Sequence, residues 1–257
     1  MTVGYFFDLD GTLYTHRTHD VSSKTIYALD ALKEKGNRVF LATSRTQAEL
    51  EHLPSSLRQF PFDGRILEGG ARILDENGND LFKVKIPSAS VKQIQNLCQS
   101  HGWIWRYSNS FGNYWAVPPT VFAHHAYFKL YLCAPVYVPY TDQEALNVLI
   151  FLKDPSDVKT IKKNVHDCSF VDFRHAIEIR EKSIDKIKGV NWCKKAFHLQ
   201  KTYCFGDGEN DIDMLKGADH GLCMGNGHPR LKAVADEVIQ SVDQDGIYQY
   251  LKKNQLI

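Results

Sequence analysis

The sequence predicts an α/β fold in which a doubly wound, parallel-sheet (Rossmann-like) core carries a second, inserted α/β domain. At both ends of the chain, short continuous apolar runs alternate with helical patterns, which is typical of strands buried on both faces of a parallel sheet. The middle of the chain has its own set of helical and strand patterns. With 257 residues, the chain is long enough for two domains that each bury a core.

The N-terminal segment predicts a βαβ unit. Val3–Phe7 is the first buried strand, and the helix that follows begins at Ser22 or Ser23 and ends near Gly36. The next strand is Arg38–Ala42. The crossover between the two strands is expected to be right-handed.

The C-terminal segment continues this alternation. Its apolar runs predict three strands, at residues 202–205, 220–224 and 238–242. A helix through Ile212 and Leu215 follows the first strand, and a helix containing Leu231 and Val234 follows the second. Because both ends of the chain alternate in this way, we expect them to form the two halves of one sheet.

Residues 82–181 are predicted to form the inserted domain, so that residues 1–81 and 182–257 form the core domain. Two helical patterns, near residues 88–102 and 156–165, are expected to cover the sheet of the insertion. Its strands are predicted at residues 104–107, 114–117, 127–133, 148–152, 170–173 and 176–179. The last two strands should form a hairpin.

The bulk composition is that of an ordinary globular protein and argues against several partners. Apolar residues make up 43% of the chain and the formal net charge is +1, so the overall charge favours neither nucleic acid nor an anionic membrane. No apolar run approaches the roughly 18 residues of a membrane span, and residues 3–7 are too short for a signal peptide. The six cysteines include no CxxC pair, which favours reduced thiols and a cytoplasmic location. The oligomeric state is not predicted.

Two aspartates directly follow the first predicted strand. Asp8 and Asp10 are two positions apart, so both side chains should point to the same side at the carboxyl end of the strand, where open α/β folds bind ligands. Gly11 allows the backbone to turn at once. Two carboxylates this close repel each other unless a cation or a shared proton lies between them, and oxygen ligands suit Mg²⁺.

A second acidic cluster follows the predicted strand at residues 202–205. Asp207 comes directly after the strand, and Asn210 and Asp211 lie on the next loop or first helical turn, where backbone N–H groups can hold an anion. Each aspartate alone could be a turn residue or a helix cap. The two clusters together predict a site for a metal ion and a phosphate group at the carboxyl edge of the sheet.

Four segments, taken in order, resemble the signature motifs of the haloacid dehalogenase (HAD) superfamily: FDLDGT, LATSR, the lysine region near Lys186, and GDGENDIDML. The size and position of the insertion resemble the C2-type cap of the Cof-like phosphatases, and the C-terminal DGIYQYLKK resembles the DGV-type ending of that subfamily. The resemblance implies a HAD-type core with a cap domain, residues 82–181, that selects the substrate.

The resemblance also implies roles for the residues at the motif positions. Asp8 would be the nucleophile that forms an aspartyl-phosphate, and Asp10 would protonate the leaving oxygen and then activate water. Mg²⁺ would be bound by Asp8, the Asp10 backbone carbonyl, Asp207, and Asp211 either directly or through water. The phosphate or substrate would contact Leu9, Thr43, Ser44, Lys186 and Asn210.

The motif lysine is the least specific of these assignments. The segment IEIREKSIDKIKG matches the family's EITPKGVSKG through Glu178, which places Lys186 at the catalytic lysine, but Lys182 and Lys188 are close alternatives. This chain departs from the family pattern in two places outside the lysine segment. Ser44 stands where glycine is usual, and EGGA stands at residues 68–71 where NGA is usual.

We therefore expect a Mg²⁺-dependent phosphatase that acts on small phosphorylated metabolites. Asp10 argues against a dehalogenase, and the lack of membrane helices argues against a P-type ATPase. A phosphomutase and a non-catalytic phosphate-ligand sensor stay open as alternatives. Aromatic residues of the insertion could either pack its sheet or stack on a substrate: Trp103, Trp105, Tyr107, Phe111, Tyr114 and Trp115. Sugar phosphates are favoured, with flavin or pyridoxal phosphates second.

Overall fold

The computed structural model describes residues 2–173 and 175–257. These residues form two compact units. The first unit consists of the residues up to Ser44 together with Leu53–Leu81 and Asp185–Ile257, and the second unit consists of Arg45–His52 and Phe82–Ile184. The segment Arg45–His52, which was expected in the core domain, thus groups with the second unit.

Strands and helices alternate along the chain. The N-terminal part contains β1 (Val3–Phe7), α1 (Ser23–Glu34), β2 (Arg38–Ala42), α2 (Gln47–Leu50), α3 (Ser55–Arg58), β3 (Gly64–Leu67), β4 (Arg72–Asp75) and β5 (Asp80–Lys83). The middle part contains α4 (Ser88–His101), β6 (Ile104–Asn109), β7 (Gly112–Trp115), α5 (Val121–Tyr131), β8 (Val136–Tyr137), β9 (Asn147–Phe151), α6 (Val158–Asn164), β10 (Cys168–Asp172) and β11 (Ala176–Glu181). The C-terminal part contains α7 (Lys186–Ala196), β12 (Lys201–Gly206), α8 (Ile212–Gly217), β13 (His220–Cys223), α9 (Pro229–Lys232), β14 (Glu237–Val238) and α10 (Gly246–Lys253).

The first unit is built on a sheet with the strand order β14-β13-β12-β1-β2-β3-β4-β5. Neighbouring strands from β14 to β3 pair in parallel, and β3 pairs with β4 in antiparallel orientation. Since β1 lies between β2 and β12, the two ends of the chain combine in one doubly wound sheet. The predicted fold class is therefore confirmed.

Aromatic side chains hold β1 at the centre of this sheet. Tyr5, Phe6 and Phe7 are all buried. The ring of Phe6 stacks on that of Phe40 with 4.5 Å between centroids, and the ring of Phe7 stacks on that of Phe205 at 4.6 Å. A continuous apolar run is needed here because both faces of a central parallel strand are covered. The residues after Phe7 therefore lie at the middle of the sheet's carboxyl edge.

The second unit is built on a sheet with the strand order β10-β11-β9-β6-β7-β8. The predicted hairpin corresponds to β10 and β11, which pair in antiparallel orientation. On one face of the sheet, Val91 and Ile94 of α4 and Ile161 of α6 form a core with Trp105. As predicted, α4 ends at Gly102, which has a left-handed φ of 66°.

The strand predicted at residues 127–133 is wrong, because residues 127–131 lie in helix α5. The aromatic and apolar residues there favour a strand locally. In the fold, however, the Thr120 side chain caps the helix by accepting a hydrogen bond from the N–H of Ala123. Ala123 and Tyr127, one helical turn apart, then pack in a cluster with Trp115. Tertiary packing has outweighed the local propensity.

The aromatic residues of the insertion are mostly buried. Trp103, Trp105 and Tyr107 lie in the core beneath α4 and α6, and Trp115 lies in the cluster with α5. Phe111, in the turn between β6 and β7, is 91% exposed. The period-2 spacing of Trp103, Trp105 and Tyr107 therefore reflects their packing on one face of the sheet.

The C-terminal elements are shorter than predicted. Helix α9 ends at Lys232, so Val234 lies outside it, and β14 contains only Glu237 and Val238. Val242 begins a short 3₁₀ turn instead of ending a strand. In the described part of the chain, β14 is an edge strand next to β13, and edge strands are often short. Within residues 2–173 and 175–257, none of the helices has the length and apolar character needed to span a membrane.

Candidate active site

Asp8 follows β1 at the carboxyl edge of the first unit's sheet. Its backbone N–H donates to the Phe205 carbonyl at 2.9 Å, and its side chain is buried. The chain then turns at once, because the Leu9 carbonyl accepts hydrogen bonds from the N–H groups of Thr12 at 3.2 Å and Tyr14 at 2.8 Å. The side chain of Leu9 is fully buried.

Two glycines allow the two motif loops to lie close together. Gly11 has a left-handed φ of 83°, and a Cβ atom on it would lie 2.2 Å from Oδ2 of Asp207. A Cβ atom on Gly206 would lie 2.7 Å from the carboxyl group of Asp211. Larger residues at these positions would displace the two carboxylates.

Asp207 and Asp211 follow β12. Oδ2 of Asp211 accepts hydrogen bonds from the backbone N–H groups of Asp207 at 3.1 Å and Gly208 at 3.0 Å. Oδ1 of Asp207 accepts a hydrogen bond from the Thr12 hydroxyl at 3.3 Å. The loop therefore orients Asp211 through its own backbone and is linked to the loop after β1 through Asp207.

Lys186 is the lysine that reaches these carboxylates. It is the first residue of α7, and its side chain is only 1% exposed. Its Nζ donates to Oδ1 of Asp8 at 2.5 Å and to Oδ1 of Asp211 at 2.6 Å. The two alternatives, Lys182 and Lys188, are exposed. The geometry therefore favours Lys186 among the three lysines.

Three of the four predicted metal ligands lie together. Asp8, Asp207 and Asp211 each offer a carboxylate oxygen, and these oxygens lie within 4.8 Å of one another. This set could hold a metal ion, and a set made only of oxygens suits Mg²⁺. The carboxylate of Asp10 is not part of the set. Its Oδ1 lies 2.9 Å from Nε2 of His16.

Burial and the interactions between neighbouring charges shift the pKa values of the clustered carboxylates and of Lys186. Burial raises the pKa of Asp8 well above its usual range, and the neighbouring Asp211 adds to the rise while Lys186 opposes it. Burial, followed by repulsion from Asp211, raises the pKa of Asp207 to about 7. Burial alone would lower the pKa of Lys186, but Asp211 and Asp8 outweigh it and raise this pKa. A cation among the three carboxylates would relieve the repulsion.

Thr43 and Ser44 follow β2 at the same edge of the sheet. The N–H of Thr43 donates to the Ile66 carbonyl at 2.8 Å, and its carbonyl accepts from the N–H of Gly69 at 2.9 Å. The hydroxyl of Ser44 accepts a long hydrogen bond, 3.5 Å, from Nδ2 of Asn210. The serine that replaces the usual glycine thus contacts the loop after β12.

Sequence reasoning missed three polar residues near the carboxylates. Thr12 lies within the FDLDGT motif, which could have pointed to it. Asn226 donates from Nδ2 to the Gly11 carbonyl at 2.8 Å and to Oδ2 of Asp207 at 3.4 Å. His16 contacts Asp10. No spacing rule pointed to Asn226 or His16, because loop geometry brings both of them to the site.

The second unit contains buried polar residues that the sequence did not predict as a group. We call them the polar face: Glu49, Arg106, Asn113, Asn147, Glu178 and Arg180. Nδ2 of Asn113 donates to Oε1 of Glu49 at 3.1 Å, and Nη2 of Arg106 lies 3.5 Å from the same oxygen. The Tyr127 hydroxyl also donates to Glu49.

The remaining members of the polar face lie on β9 and β11. Nε of Arg180 donates to Oε1 of Glu178 at 2.7 Å, and Nδ2 of Asn147 donates to the same oxygen. Oδ1 of Asn147 has no hydrogen-bond partner among the residues that the structure describes. Two acidic and two basic residues make the polar face nearly neutral.

The family model for haloacid dehalogenase-like hydrolases matches residues 5–251. The chain therefore belongs to the haloacid dehalogenase-like hydrolase family. This match and the related proteins confirm the resemblance to Cof-like phosphatases and the predicted enzyme class, a phosphoric monoester hydrolase.

Related proteins match nearly the whole chain. The Bacillus subtilis (strain 168) protein YkrA is 26% identical over 259 residues, which cover 96% of each chain. The HMP-PP phosphatase of Klebsiella pneumoniae (strain 342) is 26% identical over 239 residues, 88% of this chain and 85% of that protein. A solved sugar phosphatase of HAD subclass IIB is 27% identical, with a TM-score of 0.90 and 99% of both chains covered.

Proposed function

We propose that this protein is a Mg²⁺-dependent phosphatase that hydrolyses phosphate monoesters of small metabolites through an aspartyl-phosphate on Asp8. The observation that carries the proposal is the position of Asp8. Its carboxylate lies within one group with Asp207 and Asp211 and accepts a hydrogen bond from the buried Lys186. A buried carboxylate with a cationic partner, at the carboxyl edge of a parallel sheet, suits attack on an anionic ester.

In the first step, a carboxylate oxygen of Asp8 attacks phosphorus and the bond to the ester oxygen breaks. Asp10 gives its proton to that leaving oxygen, so an alcohol departs. Lys186 stabilises the negative charge shared by the nucleophile and the phosphoryl group. Thr43, Ser44 and Asn210, with the backbone at Leu9, are proposed to hold the phosphoryl oxygens.

In the second step, water attacks the phosphorus of the aspartyl-phosphate, and Asp10, now ionised, takes the proton from water. The bond between phosphorus and Asp8 breaks, and inorganic phosphate leaves. Splitting the reaction in this way replaces one difficult displacement by two easier ones. Together, the two steps return Asp8 to its free carboxylate and Asp10 to its protonated form.

The residues present fit a magnesium ion, because three carboxylates lie together and a single ammonium group contacts only two of them, Asp8 and Asp211. Asp8, Asp207 and Asp211 would hold it, with the backbone carbonyl of Asp10 as a further oxygen ligand. When bound, the ion supplies positive charge that neutralises the phosphoryl oxygens.

Substrate choice is assigned to the insertion, residues 82–181, because the core groups recognise only features that every phosphate ester has. Because Trp105, Tyr107 and Trp115 are buried, stacking of these three rings on a substrate supports neither sugar phosphates nor flat cofactor phosphates. Related proteins include a sugar phosphatase. We therefore favour sugar phosphates. A cytoplasmic location remains an expectation that is compatible with six free cysteines.

The test is phosphate release from a panel of sugar, nucleotide and cofactor phosphates, with and without Mg²⁺, and with Asp8→Asn as the blank. We expect release that a chelator abolishes and that Mg²⁺ restores, with sugar phosphates ranked first. Full activity after exhaustive metal removal, or no activity on any ester, would overturn the proposal. A strict requirement for a bisphosphate activator would indicate a phosphomutase.

A further inference from the structure

Asp10 and His16 form a contact beside the metal-binding carboxylates. Nε2 of His16 lies 2.9 Å from Oδ1 of Asp10. We propose that His16 is a positioning residue that holds the Asp10 carboxyl in the orientation needed to protonate the leaving group. This inference rests on the proposed function, in which Asp10 is the general acid and base.

The turn after β1 brings His16 back to Asp10. The Leu9 carbonyl accepts a hydrogen bond from the N–H of Tyr14 at 2.8 Å, and the N–H of Gly11 donates to the Tyr14 carbonyl at 2.8 Å. These bonds reverse the chain within a few residues. The buried Tyr14 ring then packs edge-on against the His16 imidazole with 5.2 Å between ring centroids. The imidazole is therefore held by the turn and by an aromatic neighbour.

The residues on both sides of His16 are anchored to the same carboxylate. The Thr15 hydroxyl donates to Oδ1 of Asp243 at 3.0 Å, and Nε of Arg17 donates to Oδ2 of Asp243 at 3.0 Å. The N–H of Thr15 also donates to the Asp20 carbonyl at 3.0 Å. These contacts restrain the chain on both sides of His16, whose side chain is 39% exposed.

Asp10 needs such a partner more than Asp8 does. The side chain of Asp10 is 32% exposed, so packing constrains it less than it constrains the buried Asp8. If the Nε2–H of His16 donates to Oδ1, the carboxyl plane is fixed and the transferable proton resides on Oδ2. Misplacing a catalytic group by about 1 Å can cost 10²-fold in rate. Loss of the contact that holds Asp10 in place should therefore lower the reaction rate measurably.

The test compares His16→Ala and His16→Gln at saturating Mg²⁺. Glutamine keeps an N–H donor at about the reach of Nε2, whereas alanine removes it. We would measure kcat/KM for p-nitrophenyl phosphate, whose leaving group needs no proton, and for the best alkyl phosphate of the panel. Because kcat/KM covers only the steps through phosphoryl transfer to Asp8, it isolates the acid role of Asp10.

We expect His16→Ala to lower kcat/KM for the alkyl phosphate by about 10- to 100-fold, a part of the 10²–10⁴-fold that general acid catalysis supplies. The aryl phosphate should change less than about threefold, and His16→Gln should recover most of the loss. The control His19→Ala removes the imidazole that contacts the Tyr14 hydroxyl and lies 6.5 Å, between ring centroids, from that of His16, but it retains both His16 and Asp10. It should behave like the wild type on both substrates.

Three results would overturn the inference. These are an equal loss on both substrates, no loss on the alkyl phosphate, and a loss in His19→Ala as large as in His16→Ala. The last would show that packing of the loop, and not the contact with Asp10, is responsible. A wild-type protein that is inactive on every ester would refute the proposed function and this inference with it. An active wild type with an unaltered His16→Ala variant would refute this inference alone.

Discussion

Asp8 and Asp211 of the first unit are buried, as is the polar face of the second unit, but the charges of the two groups balance differently. Around Asp8, three carboxylates lie together, and the ammonium group of Lys186 contacts two of them, Asp8 and Asp211. The polar face instead combines two carboxylates with two guanidinium groups. Uncompensated buried charge costs free energy unless a ligand completes it. The first group could therefore hold a cation, as the proposed function requires, whereas the charges of the second group compensate one another.

The sharpest test of this contrast is the removal of Lys186. Lys186→Ala should lower kcat about 10²- to 10³-fold at saturating Mg²⁺, because the charge shared by Asp8 and the phosphoryl group loses its fixed cation. The exposed Lys188 is the matched control, and Lys188→Ala should stay within twofold of the wild type. Initial rates of phosphate release measure both. A larger loss in the Lys188 variant would mean that the motif lysine has been misassigned.

Substitutions in the polar face should lower the free energy of unfolding rather than the rate of hydrolysis. Arg180→Ala leaves Glu178 buried without its guanidinium partner, so the free energy of unfolding should fall by about 3 kcal/mol. Arg230→Ala, which breaks an exposed pair with Glu209, should cost less than about 1 kcal/mol. Urea denaturation gives both values. Hydrolysis of an aryl phosphate by folded Arg180→Ala should stay within about threefold, and a far larger loss would contradict a structural role.

A smaller effect should appear in the pH dependence of metal binding. Burial and repulsion from Asp211 raise the pKa of Asp207 from its ordinary value near 4 to about 7. At pH values between these two pKa values, Asp207 is ionised in the unfolded chain but protonated in the folded protein. The contribution of Asp207 to the free energy of unfolding is therefore lost as pH rises through that window.

Because Mg²⁺ binds the ionised form, saturating Mg²⁺ should raise Tm by about 5 °C or more at pH 8 and by less at pH 5.5. Thermal unfolding with and without Mg²⁺ at both pH values measures this difference. An equal shift at both pH values would show that Asp207 is already ionised at the lower pH. Asp207→Asn provides the control, since its shift should be small throughout.

Sequence reasoning worked where local pattern and position coincide. Strands β1 and β2 were predicted at their observed bounds, and the motif positions of Asp8, Asp207 and Asp211 converge because parallel strands end at one edge. It failed where tertiary packing determines the secondary structure. Residues from Tyr127 onward look like a strand until Trp115 is known to offer a surface for a helix.

Loop contacts were equally inaccessible from sequence. His16 approaches Asp10 only because the turn at Leu9 reverses the chain, and no periodicity encodes that turn. The polar face depends on strand register, which places Arg106 and Glu178 opposite the same residue, Leu149, on neighbouring strands. A pairing of this kind cannot be predicted before the sheet order is known.

The most direct test of the central claim is to trap the phosphoryl group on Asp8. Asp10→Asn should still accept a phosphoryl group from p-nitrophenyl phosphate, but hydrolysis of the aspartyl-phosphate should slow by about 10²- to 10⁴-fold because the base is missing. Rapid acid quench followed by peptide mass spectrometry should therefore find phosphate on the peptide that contains Asp8, and none in the Asp8→Asn, Asp10→Asn double variant. Phosphate on another residue, or turnover without any phosphorylated protein, would contradict the account.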